Sequence, residues 1–134
     1  MSLEIKLREK DNIQILDIEG RLVVGEETSK FRETVNQLVA QDRLNLVLNL
    51  AEVEYIDSTG LGAVVFSSTG VKKAGGAMKL LNLNRRNIEL LVMTKLTTIF
   101  EIFQDEQDAV NSFYPDRKIQ TFDILNFIRE QENK

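Results

Sequence analysis

The run Leu44-Asn45-Leu46-Val47-Leu48-Asn49-Leu50, followed a few residues later by Tyr55-Ile56-Asp57-Ser58-Thr59-Gly60-Leu61-Gly62, decides how this chain is read. The first part is short, apolar and rich in Leu and Val, as expected of a strand buried on both faces. Leu61, Val64, Val65, Ser68 and Val71 then fit the face of a helix ending near Gly75-Gly76. Residues 44–74 therefore read as strand, polar turn, helix. Ser58 or Asp57 falls at the helix N-cap, where a side-chain oxygen accepts from free backbone N–H groups. Gly60 and Gly62 lie within the first helical turns, each at a cost of about 0.5–1 kcal/mol relative to Ala. Their presence implies close approach by a packing neighbour or by a partner.

Outward from this stretch the pattern changes. Leu3, Ile5 and Leu7 alternate with Glu4, Lys6 and Arg8 as in a half-buried strand. Asp11-Asn12 marks a turn, and Ile13 to Ile18 completes a hairpin. Gly20 is expected to break that strand, with Arg21 to Val24 extending the sheet. Thr28 and Ser29 are expected to cap a helix carrying Phe31, Val35, Leu38 and Val39 on one face. Beyond Gly76, a strand is expected over Met78 to Leu83, a helix after Asn87, a strand over Ile99 to Phe103 and a helix from Asp105 to Phe113. The order implies an α/β fold, a mixed sheet with flanking helices. Pro115, the only proline, divides residues 1–114 from an extension, 115–134, expected to be helical from Thr121 to Gln131. Phe122, Ile124, Leu125, Phe127 and Ile128 are expected to dock on the domain or on a second copy, as a homodimer.

Composition narrows the function. The 134 residues include no His, Cys or Trp, which removes the commonest general base, the thiol nucleophile and the best zinc ligands. The net charge of −4 argues against nucleic-acid binding and suits a protein partner of complementary charge. There is no signal-peptide pattern and no apolar run of membrane-spanning length, so a cytoplasmic protein with no membrane association is expected. Gly60-Leu61-Gly62 matches part of a dinucleotide fingerprint, but Val65 stands where the third glycine belongs, and Asn82 and Asn84 where an acid is expected. Lys72-Lys73, Lys79 and Arg85-Arg86 read as solvated cations at helix ends and loop edges. Asp105-Glu106-Gln107-Asp108 reads as a helix start, not a calcium loop. A hydroxyl at the start of a helix is a workable phospho-acceptor: a phosphate adds about −1.5 to −2 charges there, with Asp57 beside it in opposition.

The run from Val53 to Gly62 resembles the signature of STAS domains of the anti-sigma factor antagonist type. The pattern around it agrees: Gly20-Arg21-Leu22, Leu46-Val47-Leu48-Asn49-Leu50, Gly75-Gly76-Ala77-Met78-Lys79-Leu80 and Leu96 to Phe103. The resemblance covers residues 3–113. It implies a STAS fold with a mixed sheet of four to five strands, and a binding protein rather than an enzyme. It implies phosphorylation at Ser58, with Asp57, Thr59 and Gly60 as its environment. It implies a partner face that includes Val23, Glu26, Glu27, Leu61 and Gly62. The implied partner and modifier is an anti-sigma factor with serine kinase activity, and a PP2C-type phosphatase would reset the switch. ATP would belong to the kinase, so no cofactor is implied here. Many members carry an acid where this chain has Val23; Glu26 or Glu27 would have to substitute. The competing reading is a STAS scaffold without a phosphorylation cycle, as a subunit of a signalling complex or a transporter accessory.

Overall fold

A computed structural model describes residues 3–119 and 123–132. Strand β1 (Glu4–Lys10) pairs antiparallel with β2 (Ile13–Leu22). Asp11 and Asn12 between them both have positive φ, 53° and 68°, the backbone of a two-residue hairpin turn. From β2 onward all pairings are parallel: β2 with β3 (Asn45–Ile56), β3 with β4 (Ala77–Leu81) and β4 with β5 (Ile102–Phe103). The strand order is β1-β2-β3-β4-β5. Helices α1 (Glu26–Ala40), α2 (Ser58–Lys73) and α3 (Arg85–Met93) fill the crossovers. Because the order never reverses and such crossovers share one hand, these helices are expected on one face. The sheet accordingly has no reversal point of the kind that opens a dinucleotide crevice.

The two-residue period sorts the core into two layers. Leu16, Ile18, Leu46, Leu48, Leu50 and Leu80 meet Phe31, Val35 and Leu38 of α1, Leu61, Val64 and Val71 of α2, and Ile88 and Leu91 of α3. Ile13, Ile15, Val47, Leu81 and Phe103 point the other way, onto Ala109 and Val110 of α4 (Glu106–Asn111). Leu46, Val47 and Leu48 are fully buried, so β3 is covered on both faces as expected.

Several local expectations are corrected. Gly20 does not end β2; at φ 116° it lets the strand continue through a register shift against β3. Thr28 and Ser29 lie inside α1, whose N-cap is Gly25 at φ 115° with no side-chain cap bond. Thr28 Oγ1 instead donates back to the Gly25 carbonyl at 3.0 Å. Ser67, not Ser68, is the buried hydroxyl of α2. Helix α3 starts before Asn87, because Asn84 caps it by accepting from the Asn87 N–H at 2.8 Å. β4 ends at Leu81 and β5 keeps only two residues. Leu7, on the edge strand, is 51% exposed and does not belong to the buried layer. Lys79 is buried rather than solvated. Its Nζ bonds the Ser112 Oγ at 2.9 Å, pairs with Glu101 at 2.8 Å and lies 4.3 Å from the Phe113 ring centre. Asp105 does cap α4, accepting from the Asp108 N–H at 3.0 Å.

The extension is helical over Ile124–Glu132, here α5; Thr121 and Phe122 lie outside the described residues. Ile124 and Phe127 pack against the larger core layer, so the tail docks on its own chain, while Leu125 faces solvent.

Candidate functional site

The candidate site stands where β3 runs out into α2. Asp57 takes the N-cap with extended backbone, and its Oδ1 accepts from the Gly60 N–H at 2.7 Å. That resolves the choice left open by the sequence: Asp57 caps, and Ser58 is the first helical residue. Both Ser58 and Thr59 are exposed. A hydroxyl relieved of capping is free for other chemistry at the positive end of a 16-residue helix.

The second carboxylate oxygen of Asp57 has a different partner. Oδ2 accepts from the backbone N–H of Val24, in the loop between β2 and α1, at 3.0 Å. The Asp57 N–H donates to the Leu22 carbonyl at 3.2 Å. Gly60 completes this junction from the helix side. A Cβ on Gly60 would lie 2.0 Å from the Leu22 carbonyl oxygen, a distance real atoms do not tolerate. The need for glycine at residue 60 is therefore a packing neighbour. Gly62 differs: it is exposed, and nothing lies within 4 Å of where its Cβ would stand.

The partner-face candidates fall around the junction with unequal access. Val23 is half-buried next to the Val24 contact. Glu26 is exposed and Glu27 half-buried in the first turn of α1, where acids also suit the helix dipole. Leu61 is only 7% exposed and belongs mainly to the core. Its remaining edge, with Ser58, Gly62, Val65, Phe66 and Leu90, lines an apolar groove of about 550 Å³.

Sequence reasoning missed three parts of the site. The Val24 N–H and the Leu22 carbonyl are backbone groups with no sequence signal. Phe66 had one: it stands off the stripe of Leu61, Val64 and Val71. It is 70% exposed, with the Arg32 guanidinium 5.6 Å from its ring centre. Behind the site, Asn84 Nδ2 donates to the carbonyls of Val53 (3.1 Å) and Glu54 (3.3 Å), and Asn87 Nδ2 to Val53 (3.1 Å). These bonds fix the start of α3 to the end of β3. Among the described residues no group of three or more acids is arranged to hold a metal ion, and no helix is long and apolar enough to cross a membrane.

A mixed sheet with its crossover helices, and an exposed serine next to the capping aspartate at the end of a buried strand, define a class of α/β domain. The sequence matches the family model of the STAS domain over residues 4–109, and the chain belongs to that family. It is similar to the anti-sigma-B factor antagonist of Bacillus subtilis (strain 168), 34% identical over 110 residues that make up 82% of this chain and 99% of that protein. It is also similar to the anti-sigma-B factor antagonist of Listeria monocytogenes, 32% identical over 106 residues, 76% of this chain and 88% of that one. A crystal structure of a Thermotoga maritima protein matches with a TM-score of 0.76 at 25% identity, covering 81% of this chain and 92% of the other.

Proposed function

We propose that this protein is an anti-sigma factor antagonist, binding an anti-sigma factor through the surface around Ser58 and so releasing a sigma factor. The observation that carries the reading is Ser58 itself: exposed, first in its helix and relieved of capping by Asp57. The similarity to an anti-sigma-B factor antagonist, over 82% of this chain and 99% of that protein, supports the choice of partner. In this reading the anti-sigma factor is also the serine kinase. Phosphate on Ser58 adds about −1.5 to −2 charges beside Asp57, next to an apolar groove that a partner would have to desolvate. Binding is lost by local electrostatics, without refolding. A PP2C-type phosphatase restores it.

The test is incubation with the anti-sigma factor and ATP, followed by mass spectrometry and a binding titration. Phosphate on Ser58 and loss of binding are expected. Ser58→Asp should weaken binding by tenfold or more, the scale of a like charge or unpaired polar group forced into an interface, and Ser58→Ala should bind constitutively. Equal affinity of the two variants would contradict the switch. A second reading, a STAS scaffold without a phosphorylation cycle, draws on Val23, which offers no charge at the loop beside the site. Binding of the anti-sigma factor without modification of Ser58 would favour it.

A further inference from the structure

We infer that Asp57 is a positioning residue that carries the state of Ser58 to the loop between β2 and α1. The inference rests on the phospho-switch reading for its trigger and on the geometry for its route. Asp57 uses both carboxylate oxygens, one on each side of the junction: Gly60 N–H at 2.7 Å in α2, Val24 N–H at 3.0 Å in the loop. At Val24 itself the loop has little else to hold it, while Gly25 is held from α1, its carbonyl accepting from Thr28 Oγ1 at 3.0 Å and from the Ser29 N–H at 3.2 Å. The Val24 side chain is 66% exposed, and Gly25 is exposed and caps α1 without a side chain. Before the loop, Leu22 is fully buried and locked against residues 57 and 60; after it, α1 begins. The span that must respond is therefore Val23 and Val24.

A phosphate on Ser58 acts on Asp57 in two ways. It repels the adjacent carboxylate, and it competes for the same N-terminal N–H groups of α2. Either effect pulls Asp57 from its two-sided position. The Gly60 bond has alternatives, since the phosphate oxygens are themselves acceptors. The Val24 N–H has none within the junction and is released to solvent. The loop holding Val23 and leading to Glu26 and Glu27 then loosens, although the modified residue is on another element.

The test uses the full chain labelled with ¹⁵N, in three forms: unmodified, with phosphoserine incorporated directly at residue 58, and Asp57→Asn. Direct incorporation needs no kinase, so failure of the anti-sigma reading and failure of this inference are separable. Asparagine caps a helix about as well as aspartate, but an amide presents one NH₂, which cannot accept from Val24. Hydrogen exchange at Val24 is expected to quicken by roughly tenfold or more in both altered forms, as for loss of a charge-assisted bond. Core amides such as Leu48 should keep their protection, and the two altered forms should shift the Val24 amide resonance in the same direction. Phosphoserine that changes the resonances of Thr59 and Gly60 but leaves Val24 exchange untouched would overturn the inference. So would an Asp57→Asn variant, folded by its core amides, whose Val24 is as protected as in the unmodified chain. If Asp57→Asn unfolds the protein, the phosphoserine form still decides.

Discussion

Gly60 and Gly62 stand two residues apart on one helix and answer to opposite demands. At residue 60 a methyl group would meet the Leu22 carbonyl at 2.0 Å; at residue 62 it would meet nothing. Gly60→Ala is therefore expected to destabilise the fold by at least about 2 kcal/mol, since a backbone carbonyl must move. Gly62→Ala is expected to stabilise it by about 0.5–1 kcal/mol, through helix propensity alone. Urea denaturation of both variants checks the pair. If Gly62 serves a partner surface, the same Ala should weaken anti-sigma factor binding while raising stability, a combination that a structural role would not produce. The two glycines look alike in the sequence because the Leu22 carbonyl comes from an element 38 residues earlier, as the numbering shows.

At the scale of elements, α4 is a six-residue helix that cannot hold its place by its own propensity. It is fixed by Ala109 and Val110 in the smaller core layer and by an ion network at its start. Arg8 of β1 bonds Asp17 of β2 at 2.6 Å and also pairs with Glu106 of α4, and Asn49 Nδ2 donates to Asp17 at 2.8 Å. The guanidinium holds both carboxyls below their ordinary values of 3.8 and 4.5. Depressed folded-state values mean that the network stabilises the fold above the ordinary values and is lost as pH falls through the folded ones. The melting temperature of Arg8→Ala should therefore lie below wild type at pH 7, with the gap closing below about pH 4. These groups are partly exposed, so added salt should narrow the gap too. A gap independent of pH would mean that Arg8 acts through its aliphatic stem. The sequence placed Asp105 as the start of α4, but Arg8 and Glu106 are 98 residues apart, and only the packing of α4 on the sheet brings them together.

For the whole molecule, the extension after Pro115 adds to the core that the STAS sheet builds. Tyr114 OH bonds the Asp11 carbonyl, and Arg117 pairs with Asp11 Oδ2 at 3.0 Å, fastening the exit of the chain to the β1–β2 turn. Ile124 and Phe127 then cover part of the larger layer. Ending the chain after Lys118 should lower stability by about 1–3 kcal/mol, the scale of losing two half-buried apolar side chains. Thermal melts of the truncated chain and of Phe127→Ala should show it. Unchanged melting would mean that the docked helix contributes nothing in solution.

The sequence by itself determined the alternation of strands and helices, the burial of β3 and the polar helix start at residues 57–60. Those signals are local: a two-residue or 3.6-residue apolar period, a capping carboxylate, and a short run that resembles a known family. Which residue capped the helix was beyond it, because Asp57 and Ser58 are both good caps. Tertiary structure decided that Asp57 faces two elements at once, and this leaves Ser58 exposed and uncommitted. It also made Gly20 a bend rather than an end, buried Lys79, and gave Gly60 and Gly62 different reasons to be glycine. For Asp57, Lys79 and Gly60 the deciding group is a backbone carbonyl, an N–H or a side chain distant in sequence, which a local pattern does not record, and for Gly62 it is the absence of any neighbour.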